Sequence, residues 1–302
     1  MSEARTIDIP DAYDIPLEDI DVSRAALYGS DAWAPYFARL REEDPVHYCP
    51  ESATGAYWSV TRHTDIKYVD THHDVFSSEA GGISIAEQDA EPEVRLDNFI
   101  AKDPPKHDEQ RKTVSPSVAP SNLKRLEPLI RERAADILDN LPVGETFNWV
   151  EHVSVELTAR MLATLFDFPY EDRQKLIYWS DITTSSPQLM DDAGTPVEVR
   201  QQAFTECAET FAQLWQERAA QAPQFDLISM LAHGESTKDM LSRPSEFLGN
   251  VMLLIVGGND TTRNTISGGV LGLNRFPDEY EKLRNNPGLI PNMVAEMVRW
   301  QT

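Results

Sequence analysis

The sequence predicts a mainly α-helical protein with a small β corner near its N-terminus. Two observations support this fold class. From residue 106 onward, apolar residues recur at helical spacing through most of the chain. Strand-like patterns are confined to two short pieces, Val46–Cys49 and Tyr57–Val60, joined by a turn around residues 52–55. Because no internal repeat or low-complexity linker interrupts the chain, we expect residues 1–302 to form one domain.

The N-terminal third holds the predicted β corner between segments of different kinds. Residues 1–30 are acidic and interrupted by prolines, which predicts an arm lying on the surface. Helices are predicted over 32–43 and 64–70, on either side of the two strands. Residues 81–97 are irregular and acidic, which predicts a mobile loop.

Helices dominate the rest of the chain. Their patterns cover 106–116, 122–140, 149–166, 171–180, 197–220, 225–232, a long helix from about 244 to 274, and 278–284. Asp103, followed by two prolines, is predicted to cap the helix that starts near residue 106. A last helical pattern begins at Pro291 and runs to the end of the chain without a capping residue. We therefore expect a C-terminal portion to be missing.

Composition excludes several classes of protein. The 302 residues are 41% hydrophobic, which is enough for a sizeable core. A net charge of −23 argues against binding to nucleic acid or to an anionic membrane. The two cysteines make no disulfide framework, no signal peptide begins the chain, and the apolar run 251–256 is too short to span a bilayer. We expect a cytoplasmic protein.

The long helix contains a pair of glycines, Gly257 and Gly258, in its middle. An interior glycine costs about 1 kcal/mol relative to alanine, so the pair needs an explanation. Three explanations are possible: the glycine pair allows close packing of another helix, it cradles a phosphate, or it makes room for a flat ligand. No phosphate-binding motif follows, whereas Asp260 and Thr261 do. The Thr261 hydroxyl can bond the Gly257 carbonyl, and a carboxylate beside an alcohol makes a short proton relay, which favours the ligand.

A second pair, His107 and Arg111, lies four residues apart on one face of a predicted helix. Arginine offers a planar fork and histidine a further donor, so the pair suits a ligand with two carboxylates. The alternative is a surface histidine beside an exposed arginine, with Asp108 as an ion-pair partner. A third pair, Glu296 and Arg299, lies three apart on the last helix, where most such pairs are exposed.

Taken in the order in which they occur along the chain, the three motifs resemble those of the cytochrome P450 superfamily. Gly257–Thr262 matches the distal-helix motif [AG]-G-x-[DE]-T-[TS], His107-x-x-x-Arg111 resembles the haem-propionate clamp, and Glu296-x-x-Arg299 resembles the K-helix pair. The phrases "DPPKHDEQRKTVSP" and "LLIVGGNDTTRN" are most similar to the soluble bacterial terminal hydroxylases of alkanes and fatty acids, family 153. The resemblance runs from about residue 17 to residue 302.

The resemblance implies a P450 fold, a b-type haem and a haem-thiolate monooxygenase. Such an enzyme uses O2 and two electrons to hydroxylate an unactivated C–H bond, here at the end of a medium-chain alkane or fatty acid. It also implies these roles: Asp260 and Thr261 in proton delivery, His107 and Arg111 on the propionates, Gly257 and Gly258 in leaving room above the haem, Leu253, Val256 and Gly257 in an apolar substrate wall, and Glu296 and Arg299 in structure.

One departure from the family pattern concerns the cysteine that ligates the iron. Neither Cys49, in a predicted strand, nor Cys207, in a predicted helix, lies in the phenylalanine- and glycine-rich loop that the family uses. We expect the axial cysteine to lie beyond residue 302 and the present chain to be inactive by itself. The alternatives are a P450 acting on a terpenoid or another bulky hydrophobe, and a non-catalytic helical binding or scaffold module.

The resemblance also implies electron-transfer partners, a ferredoxin and an NADH-dependent ferredoxin reductase. Residues 101–133 contain eight basic and five acidic residues, a local balance of +3 in an acidic chain. We predict that this segment docks the acidic ferredoxin, with an ordinary solvated helix surface as the alternative.

Overall fold

The structure, a computed structural model, describes residues 9–82, 96–185 and 196–301. They form mostly α-helix with one two-stranded sheet, so the predicted fold class is confirmed. The strands are β1 (Val46–Cys49) and β2 (Tyr57–Val60), and the α-helices in chain order are α1 (Ala25–Gly29), α2 (Trp33–Glu43), α3 (His63–Thr71), α4 (Ser78–Gly81), α5 (Lys106–Val114), α6 (Pro120–Asp139), α7 (Glu156–Phe166), α8 (Arg173–Thr184), α9 (Val197–Ala219), α10 (Leu227–His233), α11 (Pro244–Arg275), α12 (Pro277–Asn285) and α13 (Ile290–Gln301).

Two predicted helices differ from the sequence pattern at their ends. The helix expected over 106–116 changes after α5 into a 3-10 turn, Ser115–Val118, which contains Pro116. The helix expected over 149–166 begins with a π-helical turn, Val150–Val155, before α7. Apolar periodicity does not reveal these changes of helix type, because each piece is only four to six residues long and too short to show a different period. The loop predicted over 81–97 lies mostly outside the described residues.

The described residues group into two compact units. The first falls within Met1–Val94 and Phe99–Asp108, and the second within Arg95–Asn98, Glu109–Pro187 and Ala193–Thr302. A single domain over residues 1–302 therefore stays a prediction. Among the helices of both units, for the residues described, none is long and apolar enough to cross a membrane.

The first unit contains the β corner and an apolar core of its own. Strands β1 and β2 pair antiparallel, with Val46 opposite Val60 and Cys49 opposite Tyr57. The core is formed by Ala12, Ile20, Val22, Leu27, Tyr36 and Leu40. The predicted surface arm is therefore wrong for the described residues 9–30, because the scattered apolar residues of this acidic segment pack against α2.

Asp103 also has a different role from the one predicted. Its carboxylate accepts hydrogen bonds from the Ser77 hydroxyl and, at 3.0 Å, from the Ser78 backbone N–H. The Asp103 side chain therefore binds the N-terminus of α4, and not that of α5. The bond from Ser77 holds the pKa of Asp103 below its ordinary value. At the start of α5, the backbone carbonyl of Asp103 accepts from the His107 N–H at 3.2 Å.

The second unit is organised around α11, which runs through 32 residues without interruption. It contacts α7, α8, α9, α13 and the π-helical turn. The aromatic part of the neighbouring core is well buried, with Phe166, Trp179, Phe211 and Trp215 all at most 2% exposed. Because α11 is held on several sides along its length, the direction of each of its side chains is determined by packing.

Candidate active site on helix α11

The two glycines in the middle of α11 have different surroundings. A Cβ added to Gly258 would lie 2.7 Å from Leu162 Cδ2, so this glycine allows α7 to pack closely. A Cβ added to Gly257 would have no heavy atom within 4 Å, apart from its own helix backbone and chain neighbours. The packing explanation therefore accounts for Gly258 and not for Gly257, and the role in leaving room above a ligand stays a prediction for both glycines.

Gly257 belongs to a stripe of residues that face outward together. Leu253, Gly257 and Thr261 follow one another at intervals of four along α11 and so share one face. Thr261 is exposed, and its hydroxyl donates to the Gly257 carbonyl at 2.9 Å, the bond that the sequence predicts. Since a hydroxyl has one proton, Thr261 in this geometry offers its oxygen lone pairs to a ligand. The helix stays α-helical through this point.

Asp260 takes part in an ion-pair network with its neighbours. One carboxylate oxygen lies 2.5 Å from Arg263 NH2, and the other is 3.4 Å from Asn264 Nδ2. Arg263 also reaches Asp181 of α8 at 2.8 Å. Burial lowers the pKa of Arg263, but its two carboxylate partners outweigh burial and raise it overall. The Asp260 side chain is only 28% exposed and is oriented by this network.

The predicted substrate wall is partly accessible. Leu253 and Val256 are both half-buried, and the neighbouring Gly257 is exposed. A half-buried side chain keeps part of its apolar surface available for a ligand, whereas the fully buried Ile255 does not. The structure thus places Leu253, Gly257 and Thr261 along one stripe of α11, with Val256 and Asp260 beside it.

The two residues of the predicted carboxylate clamp both lie on α5. His107 is half-buried, and its Nδ1 is 2.8 Å from Asp108 Oδ1, so these two neighbouring side chains are hydrogen-bonded. A carboxylate only accepts hydrogen bonds, hence Nδ1 carries a proton here. Nε2 then donates to a ligand only when the ring holds both protons. Arg111 is exposed.

Glu296 and Arg299 pair as the sequence predicts. Arg299 donates from Nε and NH2 to the two Glu296 oxygens at 2.7 and 2.6 Å. The Glu296 and Arg299 side chains are 61% and 69% exposed in the described structure. Met297 and Trp300 of α13 instead pack on α11, against Gly269 and Gly272 respectively. A role of the pair in locking a core therefore stays a prediction.

The two cysteines are both buried and unpaired. Burial raises the pKa of both thiols, most strongly for Cys207, whose sulfur lies 3.5 Å from Met252 Sδ. A metal-ligating cysteine is a thiolate, and low-pKa cysteines lie near positive charge or helix N-termini. The surroundings of Cys49 and Cys207 favour the thiol, which agrees with the sequence argument that neither is the axial ligand.

Sequence reasoning missed Arg263, Asp181 and Asn259. Arg263 follows Asp260 at a spacing of three, which is a recognised helical pairing distance, so a signal was present. Asp181 comes from another helix, and nothing in its local sequence indicates the partner. Asn259 is fully buried although it stands in a polar run, where exposure is the usual expectation.

Comparison with known proteins identifies the family. The chain is 33% identical to linalool 8-monooxygenase from Pseudomonas putida, over 94% of this chain and 71% of that protein. It is also 33% identical to steroid C26-monooxygenase from Mycolicibacterium smegmatis, over 88% of this chain but only 62% of that relative. The chain belongs to the cytochrome P450 family. It matches no protein-family model.

Solved P450 structures agree in fold. Cytochrome P450-153 from Novosphingobium aromaticivorans is 44% identical, with a TM-score of 0.84 over 93% of this chain and 69% of that one. CYP153D17 from Sphingomonas sp. PAMC 26605 is also 44% identical, with a TM-score of 0.83 over the same shares. The predicted P450 fold and the resemblance to family 153 are thereby confirmed, and the named relatives support a P450 monooxygenase.

P450 membership implies a haem iron, and the residues on α11 fit a flat group of this kind. A Cβ at Gly257 would meet no neighbouring atom, so protein packing does not require a glycine there. The exposed stripe through Gly257 and Thr261 is apolar at Leu253 and carries one hydroxyl, which suits a hydrophobic group with a reacting oxygen beside it. Arg111 on α5 has the donor geometry that binds a carboxylate.

Proposed function

We propose that this chain forms the dioxygen-activating part of a P450 monooxygenase that hydroxylates the terminal carbon of a linear aliphatic substrate, a medium-chain alkane or a fatty acid. The observation that carries the proposal is the stripe Leu253, Gly257 and Thr261 on α11, where apolar surface, open space and a hydroxyl lie together. A small oxidant and an aliphatic chain both fit such a stripe. The non-catalytic alternative explains neither the accessible hydroxyl nor the open space at Gly257.

The cofactor proposed is a b-type haem, whose propionates His107 and Arg111 would hold. When bound, the haem supplies the electron-transfer chemistry that activates dioxygen. The surroundings of Cys49 and Cys207 favour the neutral thiol, as described above. We infer that neither of them would supply the thiolate that holds the haem iron.

The protein's own contribution to the reaction is proton delivery. Thr261, while its proton is held by the Gly257 carbonyl, accepts a hydrogen bond from a protonated oxygen above Gly257. Asp260 lies next to Thr261, and its carboxylate, once it turns away from Arg263, takes a proton from solvent and passes that proton inward. The Arg263–Asp181 contact holds the arginine in place during this movement.

The proposed substrate rests on the half-buried Leu253 and Val256 and on the 44% identity to two family-153 enzymes. One further relative, 27% identical, is named a methyl-branched lipid omega-hydroxylase. A terpenoid is the second candidate. It is favoured by the linalool 8-monooxygenase relative and by a 31% identical Mycobacterium marinum P450 solved with pseudoionone.

A ferredoxin with an NADH-dependent reductase is proposed as the source of the two electrons. We also propose that the protein is cytoplasmic. The test uses the full-length protein with haem, these two partners and NADH, under ¹⁸O2. Octane, dodecanoic acid and linalool are offered separately, and products are identified by mass spectrometry. Terminal alcohols carrying ¹⁸O from the linear substrates support the proposal. ¹⁸O-labelled product from linalool alone favours the terpenoid, and no labelled alcohol from any substrate contradicts the function.

A further inference from the structure

A fully buried amide lies directly before Asp260 in α11. The side chain of Asn259 has 0% exposure and faces Thr158 of α7, which is itself only 2% exposed. A buried amide needs partners, and a leucine of similar size would cost nothing in lost hydration. Packing alone therefore does not explain an asparagine at this position.

The hydrogen bonds around Asn259 form a chain into the neighbouring segment. Thr158 Oγ1 lies 2.8 Å from Asn259 Oδ1, and 3.1 and 3.0 Å from the carbonyls of Ser154 and Val155. One hydroxyl proton serves only one of these three acceptors. With Oδ1 facing Thr158, Asn259 Nδ2 has no partner. With the amide turned over, Nδ2 donates to Thr158 and the Thr158 proton goes to a carbonyl, so both buried donors are satisfied.

A second contact joins the same two segments two turns further along α11. The Ser267 hydroxyl donates to Ser154 Oγ at 2.8 Å, and Ser154 is fully buried. Ser154 belongs to the π-helical turn that leads directly into α7, whereas Thr158 lies in the first turn of α7 itself. The two polar contacts, one to α7 and one to the turn before it, restrict both the sliding and the rotation of α11.

Rotation of α11 matters because of where Thr261 lies relative to Asn259. At about 100° per residue, positions two apart are about 200° apart around the helix axis. Asn259 points into the protein and Thr261 points outward, and Asp260 lies between them. Any turn of the helix that withdraws Asn259 moves the Thr261 hydroxyl by the same angle.

We propose that Asn259, through Thr158, is a positioning residue for the Asp260–Thr261 pair. This inference rests on the proposed monooxygenase function. It predicts that loss of the Asn259–Thr158 hydrogen bond misdirects proton delivery while the fold remains intact. A larger share of the electrons from NADH should then form hydrogen peroxide in place of product, since a small displacement of a catalytic group is enough to impair the reaction.

The test compares Asn259→Leu and Thr158→Val with the conservative control Thr158→Ser in the full-length protein. Thr158→Val removes the hydroxyl at nearly constant volume, and Thr158→Ser keeps it. Product formed per NADH should fall by about threefold to tenfold in the first two variants and remain near wild type in Thr158→Ser. The melting temperature of all three should stay within about 3 °C of wild type. The double variant, Asn259→Leu with Thr158→Val, should be no worse than either single change.

A second measurement does not depend on turnover. Hydrogen exchange of the backbone amides at 260–264 should be about tenfold faster in Asn259→Leu and Thr158→Val than in Thr158→Ser. Equal exchange and equal coupling in Thr158→Val and Thr158→Ser overturn the proposal, as do fully additive effects in the double variant. If wild type forms no hydroxylated product, the proposed function fails, and the exchange rates alone decide whether Asn259 orients this part of α11.

Discussion

At the scale of single residues, Thr261 shows how one hydrogen bond limits what a side chain does. Its proton is given to the Gly257 carbonyl, so its oxygen remains as an acceptor on the exposed side of α11. Thr265, one turn later, makes the same kind of bond to the Thr261 carbonyl at 2.8 Å. The two threonines therefore form a matched pair with equal helical bonding, and Thr265 lies one helical turn further from Gly257 along the same face.

We predict that Thr261→Ala uncouples the enzyme, so that NADH is still consumed but less of it leads to hydroxylated product. In the full-length enzyme, product per NADH should fall by about tenfold while hydrogen peroxide release rises, because proton delivery loses its acceptor oxygen. Thr261→Ser, which keeps the hydroxyl, should retain most of the coupling. Thr265→Ala is the control for loss of a threonine from α11 and should couple as wild type does. Unchanged coupling in Thr261→Ala would remove Thr261 from the mechanism.

The sequence predicted the residues that obey local rules and missed those that depend on another element. The bond from Thr261 to Gly257 spans one helical turn, so spacing alone predicted it. The different roles of Gly257 and Gly258 were not predictable, because Leu162, which decides between them, lies almost a hundred positions away. The buried Asn259 was missed for the same reason, since its partner Thr158 is on α7.

At the scale of elements, most helix positions were predictable because their apolar residues follow a regular period. What failed was the prediction of local hydrogen-bond type and of burial in acidic segments. The π-helical turn Val150–Val155 and the buried residues of segment 9–30 are examples. Both depend on which partner is available in three dimensions.

We predict opposite effects on stability from two glycine substitutions in α11. Gly257→Ala should raise the free energy of unfolding by about 0.5–1 kcal/mol, since its Cβ meets nothing and alanine favours the helix. Gly249→Ala should lower it by about 1–3 kcal/mol, because its Cβ would lie 2.1 Å from the Asp97 carbonyl oxygen. Urea unfolding of wild type and both variants measures these two changes in the free energy of unfolding.

The same Gly257→Ala variant should hydroxylate poorly, because the added methyl group occupies the space proposed for the reacting molecules. A more stable but less active enzyme is the expected outcome. A Gly257→Ala enzyme with wild-type turnover would show that the space beside this residue is not used.

The contact between α7 and α8 leads to a prediction about pH. Glu156 accepts from Arg160 at 2.7 Å and from Arg173 at 2.9 Å. Burial acts to raise the pKa of Glu156, but the two arginines outweigh it and lower the pKa overall. A carboxyl with a lowered folded pKa stabilises the fold above its unfolded pKa, and this contribution is lost as the pH falls through the folded value.

Glu156→Gln should therefore lower the free energy of unfolding at pH 7 by about 1–3 kcal/mol. The difference from wild type should start to shrink as the pH falls below the ordinary glutamate pKa of about 4.3, and it should vanish below the lowered pKa of the folded state, where the wild-type carboxyl is also neutral. Glu127→Gln is the control, because Glu127 pairs with Arg131 at an exposed site and should change stability by less than about 1 kcal/mol. A pH-independent difference would mean that Glu156 acts through its shape and not its charge.

At the scale of the whole molecule, charge is distributed unevenly along an acidic chain. The net charge is −23, yet residues 101–133 carry a surplus of three positive charges. Lys112 and Lys124 of this segment are exposed. Arg125 is also exposed, but its guanidinium lies 4.9 Å from the Phe225 ring centre and bonds Asn122, so it has structural contacts as well. Lys112 and Lys124 are therefore the cleaner positions at which to test docking.

We predict that Lys112→Glu with Lys124→Glu slows electron transfer from an acidic ferredoxin by about tenfold at low salt. Opposite charges mainly speed the encounter, so the effect should fade at an ionic strength where the screening length is only a few ångströms. Stopped-flow reduction of the haem over a series of salt concentrations measures both. Lys67→Glu with Lys282→Glu makes the same change in net charge outside the segment. If that control slows reduction equally, net charge and not a docking surface governs the encounter. If the first variant leaves both the rate and its salt dependence unchanged, the ferredoxin binds elsewhere.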